Sequence, residues 1–166
     1  YQGNHFGTGL PPAGDNQALW PLIAPRLADA RLKPAPADIA FARDAFRDLL
    51  RIRASSTLLR LRNADDIKAR LRFHNTGSGQ DPAVLIGQVD GTGYAGANFG
   101  ELVYVINVDK QAKALSVPAL VGKALQLHPV HQGPNAADKR AAQASFDAAS
   151  GTVNVPARTA VVFVRG

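Results

Sequence analysis

The sequence predicts a mainly β protein, in which an antiparallel β-sandwich of about eight short strands follows a loop and one long α-helix. From residue 58 onward, short apolar segments with a period of two alternate with turn-rich pieces, and no helical pattern separates them. The 166 residues, of which 46% are hydrophobic and 19% charged, suffice for one core with an appendage. These observations exclude a disordered or fibrous chain.

Residues 1–36 are rich in Gly, Pro and Asn, which predicts an irregular loop with at most one short helical turn. Loops of this length are uncommon in compact domains, so we expect this segment to pack on another body. A helix is predicted from about Ala37 to Ser55, because Pro36 and Asp38 are typical of a helix start. Its wide apolar stripe is a second indication of a larger neighbour. The stripe consists of Ile39, Phe46, Leu49, Leu50 and Ile52.

The strands are predicted from alternating polar and apolar side chains. In the segment 70–74, Leu71 and Phe73 are expected to face a core, while the side chains between them and His74 face water. Turn-rich pieces such as 75–79 and 150–151 separate this segment from the other candidates. The other predicted strands are 83–89, 101–108, 112–117, 124–128, 143–146, 152–155 and 158–164. For the Ala-rich stretch 136–149 a partly helical structure is the alternative.

The net charge of +6 and the pI near 10.1 raise the question of a nucleic-acid partner. Nearly all of the excess lies between residues 43 and 72, which hold nine basic and four acidic residues. There Arg43, Arg47 and Arg51 recur every four residues beside Asp44 and Asp48, a pattern typical of a solvated helix face with ion pairs. No aromatic residues for base stacking are interleaved, so we expect no nucleic-acid partner.

The apolar stretches fall far short of the roughly 20 residues that a membrane-spanning helix needs, so we expect no membrane partner. The absence of Cys excludes disulfides, thiolate metal sites and a cysteine nucleophile. The sequence starts at Tyr1 and contains no Met, which indicates a processed chain or a piece of a larger one.

Three short motifs resemble sites for a dinucleotide, for a metal ion and for glycoside hydrolysis. The glycines of Gly91–Gly96 match a dinucleotide-binding fingerprint, but the context predicts a hairpin loop because no helix follows. His128 and His131 lack a third metal ligand and are predicted to be rim histidines at a strand end, so we expect no metal site. Asp65 and Asp66 are adjacent, so their carboxyl groups diverge and are predicted to cap a short turn after Asn63.

Sugar-binding chemistry is concentrated near the N-terminus. Aromatic side chains there supply stacking faces, and amide and carboxylate side chains supply planar hydrogen-bonding groups. An irregular segment, whose aromatic residues fill a core and whose Asn and Asp residues form turns, fits the same composition equally well. The residues are Tyr1, Gln2, Asn4, His5, Phe6, Asp15, Asn16, Gln17 and Trp20.

Several segments resemble the C-terminal part of pullulanase-type α-1,6-glucosidases, the limit dextrinases. The resemblance covers essentially the whole chain in the family's order and spacing. Its segments are Asn4-His-Phe-Gly-Thr-Gly-Leu-Pro-Pro12, Asp15-Asn16, Trp20-Pro-Leu-Ile23, Asp48-Leu-Leu-Arg-Ile-Arg-Ala-Ser-Ser56, Ala69-Arg-Leu-Arg-Phe-His-Asn-Thr-Gly77, Leu127-His-Pro-Val130 and Val155-Pro-Ala-Arg-Thr159.

The resemblance implies two parts: residues 1–56 as the terminal loop and last helix of a (β/α)8 catalytic barrel, and residues 57–166 as the C-terminal β-sandwich. Such enzymes hydrolyse α-1,6 links in pullulan, amylopectin and limit dextrins with an Asp nucleophile, a Glu acid/base and a second Asp. None of these motifs occurs here, so the resemblance implies no catalytic residue and no activity for this chain alone. It implies no cofactor, an upstream barrel as partner, α-glucan bound through the parent enzyme, and a secreted or periplasmic location if the source is bacterial.

Within the barrel loop, Asn4 and Phe6 resemble the segment after the last barrel strand, although family members often have Asn where His5 stands here. A competing hypothesis makes the sandwich itself an α-glucan-binding module. For that role Tyr94 and Phe99 in the glycine-rich loop are the candidates, since Phe73, Tyr104 and Phe163 are assigned to the core or its edge. The candidate carbohydrate-binding residues are therefore Asn4, Phe6, Asn16, Trp20, Tyr94 and Phe99.

Overall fold

The computed structural model describes residues 9–166. The chain divides into two compact units, which meet in sequence between Arg43 and Asp44. In the first unit, helices α1 (Ala13–Asn16) and α2 (Trp20–Ala28) precede α3 (Pro36–Ser55), which ends in the second unit. Among the described residues, no helix combines the length and apolarity needed to cross a bilayer.

Helix α2 corrects the prediction that residues 1–36 form a loop with at most one short helical turn. Its nine residues include Pro21 and Pro25, two of the prolines on which the loop prediction depended. Pro21 lies in the first turn, where backbone N–H groups have no helical partner and proline is tolerated. Pro25 lies inside the helix, which accepts the loss of one backbone hydrogen bond.

Helix α3 confirms the predicted helix to within one residue at its start. Asp38 Oδ2 accepts a hydrogen bond of 2.8 Å from the Ala35 backbone N–H, which satisfies a donor at the helix start. The predicted ion pairs are present, since Arg47 lies 3.6 Å from Asp44 and Arg51 lies 3.0 Å from Asp48. This face of α3 is therefore a paired, charged helix face.

All eight predicted strands are present and form two antiparallel sheets. The large sheet has the strand order β1-β2-β3-β8-β5, and the small sheet has the order β4-β7-β6. Two short helices were not predicted. Helix α4 (Ala64–Arg70) precedes β1, and helix α5 (Pro129–Gln132) follows β5. The strands are β1 (Leu71–His74), β2 (Val84–Asp90), β3 (Glu101–Asn107), β4 (Lys113–Ser116), β5 (Gln126–Leu127), β6 (Ser145–Asp147), β7 (Thr152–Val155) and β8 (Thr159–Arg165).

The main core lies between the two sheets. Ile86, Val105 and Phe163 of the large sheet pack there with Val153 and Val155 of the small sheet. The outer face of the large sheet carries a second cluster, in which Ile52 of α3 and Leu58 cover one end. The strand residues of this second cluster are Val89, Leu102, Val162 and Val164.

The predicted orientation of β1 is wrong for two side chains. Phe73 pairs with Gly87 on the outer face and is 52% exposed, because α3 does not reach this part of the sheet. His74 pairs with Ile86 on the inner face and is half-buried, with Nε2 2.6 Å from Gln88 Oε1. The other two predictions for this strand are confirmed, since Leu71 packs against the second cluster and Arg72 is exposed.

Candidate functional site

Of the N-terminal candidates, Asn16 and Trp20 make local contacts in the first unit. Asn4 and Phe6 lie outside the described residues. Trp20 Nε1 donates a hydrogen bond of 2.9 Å to the Pro11 carbonyl, and Asn16 Nδ2 donates to the Pro12 carbonyl at 3.4 Å. Asn16 and Trp20 therefore bind the backbone of two consecutive prolines, Pro11 and Pro12. Contact of either side chain with a sugar stays a prediction.

The connection between β2 and β3, residues 91–100, is here called the glycine loop. As predicted, it joins two strands of a hairpin without a helix. Four hydrogen bonds tie it to the end of α3 and the two residues that follow. These run from Ser56 Oγ to Ala97 O, from Thr57 Oγ1 to Ala95 O (2.7 Å), from Thr57 N to Gly96 O (3.1 Å) and from Asn98 Nδ2 to Ser55 O (2.7 Å).

Tyr94, a predicted sugar-stacking residue, has one ring face against a cation. The guanidinium carbon of Arg70 lies 4.7 Å from the ring centroid, and the Tyr94 hydroxyl is 3.4 Å from Asp66 Oδ2. Arg70 Nη1 also donates to the carbonyls of Asp90 and Thr92 at 3.1 and 2.9 Å. Arg70 therefore holds the glycine loop in place and leaves Tyr94 one ring face fewer for stacking.

The two histidines correct the prediction that they lie at the rim. His128 is 3% and His131 is 5% exposed. The chain turns into α5 directly after β5, so both rings are buried between this turn and the second half of α3. Phe99, the other candidate of the glycine loop, meets the His128 ring edge to face with centroids 5.5 Å apart.

Each histidine accepts a backbone N–H with one ring nitrogen. His128 Nδ1 accepts from Val130 N at 3.2 Å, and His131 Nε2 accepts from Val162 N, also at 3.2 Å. Burial lowers the pKa of His128, and burial with the neighbouring His128 lowers the pKa of His131 to about 4. Both rings are neutral near pH 7, and in residues 9–166 no three potential ligands cluster to hold a metal.

The second half of α3 is fixed to the sandwich by polar contacts as well as by Ile52. His128 Nε2 lies 3.0 Å from Ser55 Oγ, which in turn donates to the Ile52 carbonyl at 2.7 Å. Asp48 is buried and accepts a hydrogen bond of 2.8 Å from Ala137 N. Buried polar groups with complete hydrogen bonding specify one packing arrangement, so residues 44–55 are a built-in part of this unit.

The outer face of the large sheet is apolar beyond the reach of α3. Phe73, Leu85 and Ile106 lie there on three adjacent strands, and Val108 follows at 66% exposure. These four residues, here called the open face, line a depression of about 400 Å³. On α3 itself, Phe46 is 61% exposed.

The outer face of the small sheet has the opposite character. Its outward positions are small or polar, while Leu115, Phe146, Val153 and Val155 point inward. Ordinary sandwiches alternate in this way when one face meets water. The open face therefore carries large apolar side chains, whereas the outer face of the small sheet carries small or polar ones. The outward residues of the small sheet are Ala114, Ser116, Ser145, Asp147, Thr152 and Asn154.

Comparison with known proteins agrees with the resemblance seen in the sequence. The family described as "Alpha-1,6-glucosidases, pullulanase-type, C-terminal" matches residues 1–166. The chain belongs to this family. Pullulanase 1, chloroplastic, of Arabidopsis thaliana is 39% identical over 172 residues, which cover 99% of this chain and 18% of that protein. A pullulanase of Klebsiella pneumoniae is 29% identical over 165 residues, covering 97% of this chain and 15% of that protein.

Solved structures of pullulanases share the fold. PulA from Klebsiella oxytoca superposes with a TM-score of 0.74 at 27% identity, over 94% of this chain and 15% of that one. Klebsiella pneumoniae pullulanase complexed with maltotriose gives a TM-score of 0.73 at 26% identity, over 95% of this chain and 15% of that one. The chain thus spans less than a fifth of these relatives, and it is a C-terminal domain of a larger pullulanase-type enzyme.

The open face and the histidine contacts were not predicted from the sequence. For the open face a signal was available, because β2 reads Val84-Leu85-Ile86 without alternation, as strands covered on both faces do. For His128 and His131 no local signal exists, because their burial depends on α3, which lies more than 70 residues earlier.

Proposed function

We propose that this pullulanase-type domain packs on the upstream catalytic barrel of its parent enzyme, and that the parent hydrolyses α-1,6-glucosidic links of branched α-glucans. The domain itself has a structural role. Its family and the names of its relatives support the reaction, since each of those relatives is a pullulanase. In this proposal residues 1–56 complete the barrel and residues 57–166 form the sandwich that supports it.

The observation that carries the structural role is the open face. The outer side of the large sheet is apolar and exposed at Phe73, Leu85 and Ile106, whereas α3 covers only the other end of the sheet. Exposed contiguous apolar surface of this kind marks a contact with another body. The occupant that fits is the upstream part of the parent, because the relatives carry more than four fifths of their length outside the matching region.

Helix α3 offers a second contact for the barrel in this proposal. Ile52, Asp48 and Ser55 hold its second half on the sandwich. Phe46, in the same half of the helix, is 61% exposed. We propose that the barrel also packs on this side chain.

The adjacent residues Asp65 and Asp66 do not form the pair of acid and nucleophile that glycoside hydrolysis needs. Retaining glycosidases place two carboxyl groups about 5–5.5 Å apart across the substrate. Asp65 and Asp66 instead lie in the first turn of α4, where Asp66 N donates to Asn63 Oδ1 at 2.8 Å. The carboxyl group of Asp66 also accepts from Asn63 Nδ2 at 2.8 Å, so its role is helix capping.

The test compares Ile106→Lys with Ala114→Lys in the full-length parent and in the 166-residue chain. Both positions point outward from a strand, but only Ile106 belongs to the open face. We expect Ile106→Lys to lower the stability of the parent by about 2–4 kcal/mol, because a charge replaces a buried apolar contact. The isolated chain should tolerate both substitutions, as measured by thermal unfolding.

Activity is measured in parallel as reducing ends released from pullulan. We expect hydrolysis by the parent and none by the isolated chain. Equal unfolding temperatures of the two parent variants would contradict docking through the open face. A parent that leaves pullulan intact would contradict the proposed reaction.

A further inference from the structure

A second depression lies beside the glycine loop and is distinct from the open face. It has a volume of about 510 Å³ and is bordered by the glycine loop, β5, α5 and the end of β8. Phe99 lines it together with four polar side chains. This depression, here called the Phe99 cleft, is lined by Asn98, Phe99, Gln126, Gln132 and Arg165, among others.

The polar side chains of the Phe99 cleft retain unused hydrogen-bonding capacity within the described part of the chain. Asn98 Nδ2 donates to Ser55 O and Gln132 Nε2 donates to Leu127 O, which fixes both amides and leaves their side-chain oxygens without a protein donor. The Gln126 amide, exposed on β5, makes no hydrogen bond with residues 9–166.

The charge of the cleft argues against an ionic ligand. Arg165 Nε lies 3.6 Å from Glu101 Oε2, and Lys123 also pairs with this buried carboxylate. The guanidinium charge is therefore balanced behind the cleft wall. No Asp or Glu side chain is among the residues that line the cleft, so it lacks the side-chain carboxylates that hard cations prefer.

A neutral ligand with many hydroxyl groups fits these features best. Planar amide groups form paired hydrogen bonds with vicinal hydroxyls, and an aromatic ring stacks on the apolar face of a pyranose. The volume is in the range of small-ligand sites, which run from roughly 300 to 1,000 Å³. Tyr94 does not line this cleft, and Arg70 lies over its ring.

We propose that the Phe99 cleft binds α-glucan, with Phe99 as the stacking residue and Gln126, Gln132 and Asn98 as hydrogen-bonding residues. The choice of an α-glucan among sugars rests on the proposed function of the parent. The cleft is a binding site only, and no reaction step is assigned to it.

The test is a titration of the 166-residue chain with maltotriose, followed by backbone amide NMR shifts. We expect saturable shifts at Asn98, Gln126 and Gln132. Gln126→Ala should weaken binding about fivefold, because one hydrogen bond to the sugar contributes about 1 kcal/mol. Gln80→Ala is the matched control. Gln80 is also an exposed glutamine, but it lies in the connection between β1 and β2, outside the cleft.

Phe99→Leu tests stacking separately from folding. Leucine keeps an apolar contact with His128 but lacks a ring face, so we expect saturable shifts to disappear while the unfolding temperature stays within a few degrees of the wild type. Shifts confined to other regions, or no saturable shift up to the solubility limit of maltotriose, would overturn the proposal. Equal affinity for cellotriose would overturn the assignment to α-glucan.

The outcomes separate this inference from the proposed function. Maltotriose binding at the cleft together with a parent that leaves pullulan intact would retain the cleft and reject the reaction. Hydrolysis of pullulan by the parent without maltotriose binding at the cleft would reject the cleft alone.

Discussion

His128 Nε2 lies 3.0 Å from Ser55 Oγ, and this contact joins the last turn of α3 to the segment that follows β5. Because His128 Nδ1 accepts the Val130 N–H, the Nε2 atom carries the proton and donates to Ser55. Ser55 then donates to Ile52 O. The contact is therefore a directed chain of hydrogen bonds that requires a neutral imidazole.

The buried histidines make the stability of this unit sensitive to acid. Burial lowers the folded-state pKa of His131 from 6.5 to about 4, and the like charge of His128 acts in the same direction against the opposing pull of Asp48 and Asp138. Between these pH values the unfolded state binds more protons. The stabilisation is complete above pH 6.5 and is lost as the pH falls toward 4, by about 3 kcal/mol for His131.

This prediction is checked by urea unfolding at a series of pH values. His131→Gln removes the titration and retains an acceptor for Val162 N, so its stability should vary less with pH between 6.5 and 4. His74→Gln is the control, because His74 is only half-buried and contacts Gln88 instead. An unchanged pH dependence in His131→Gln would show that other groups govern acid unfolding.

Ser55→Ala is expected to destabilise the chain by about 1–3 kcal/mol, because it leaves the buried Nε2–H of His128 without an acceptor. Ser78→Ala serves as the control, since Ser78 is an exposed serine in the turn between β1 and β2. Its effect should stay within about 0.5 kcal/mol. Equal effects of the two substitutions in urea unfolding would mean that the serine–histidine contact contributes nothing measurable.

Local features of the sequence predicted the regular elements well. The bounds of α3 depend on Pro36, on Asp38 and on an apolar stripe, all of which lie within the helix itself. The strands were found because turns interrupt them at short intervals. In α2, local rules failed because proline has opposite effects in the first turn and in the interior of a helix.

Orientation and burial could not be predicted in the same way. Alternation in β1 established that Phe73 and His74 face opposite sides, but which side meets α3 depends on packing between distant segments. His128 and His131 were placed at the rim for the same reason, because a strand followed by proline resembles a sheet edge when α3 is not considered. Of the candidate site, the sequence identified Phe99 but not Gln126 or Gln132, since exposed glutamines carry no pattern.

Arg70→Lys is expected to loosen the glycine loop without removing the positive charge. Lysine lacks the planar fork that reaches Asp90 O and Thr92 O and stacks on Tyr94. We expect amide hydrogen exchange in the loop, for example at Tyr94 N, to become about tenfold faster.

Arg72→Lys is the matched control for this measurement. The guanidinium of Arg72 donates to the carbonyls of Lys68 and Leu71, and within residues 9–166 it makes no hydrogen bond with the glycine loop. Its substitution should leave exchange at Tyr94 unchanged. Equal acceleration in both variants would mean that Arg70 has no specific role in holding the loop.

Two glycines of the same loop separate backbone strain from close packing. Gly93 and Gly96 have φ values of +66° and +71°, so an alanine at either position adopts an unfavourable left-handed conformation at a cost of about 1–2 kcal/mol. A Cβ atom at Gly96 would also lie 2.9 Å from Thr57 Cγ2, whereas at Gly93 no atom lies within 4 Å. Gly96→Ala should therefore be more destabilising than Gly93→Ala by about 1 kcal/mol in urea unfolding.

The double variant Gly96→Ala with Thr57→Ser tests whether the contact with Thr57 Cγ2 causes this difference. Serine lacks the methyl group but keeps the hydroxyl that donates to Ala95 O, and the backbone bond from residue 57 N to Gly96 O is unaffected. The double variant should therefore recover part of the difference in stability. Equal costs at the two glycines would show that the loop yields at Gly96, and that its contact with the end of α3 is looser than the distances indicate.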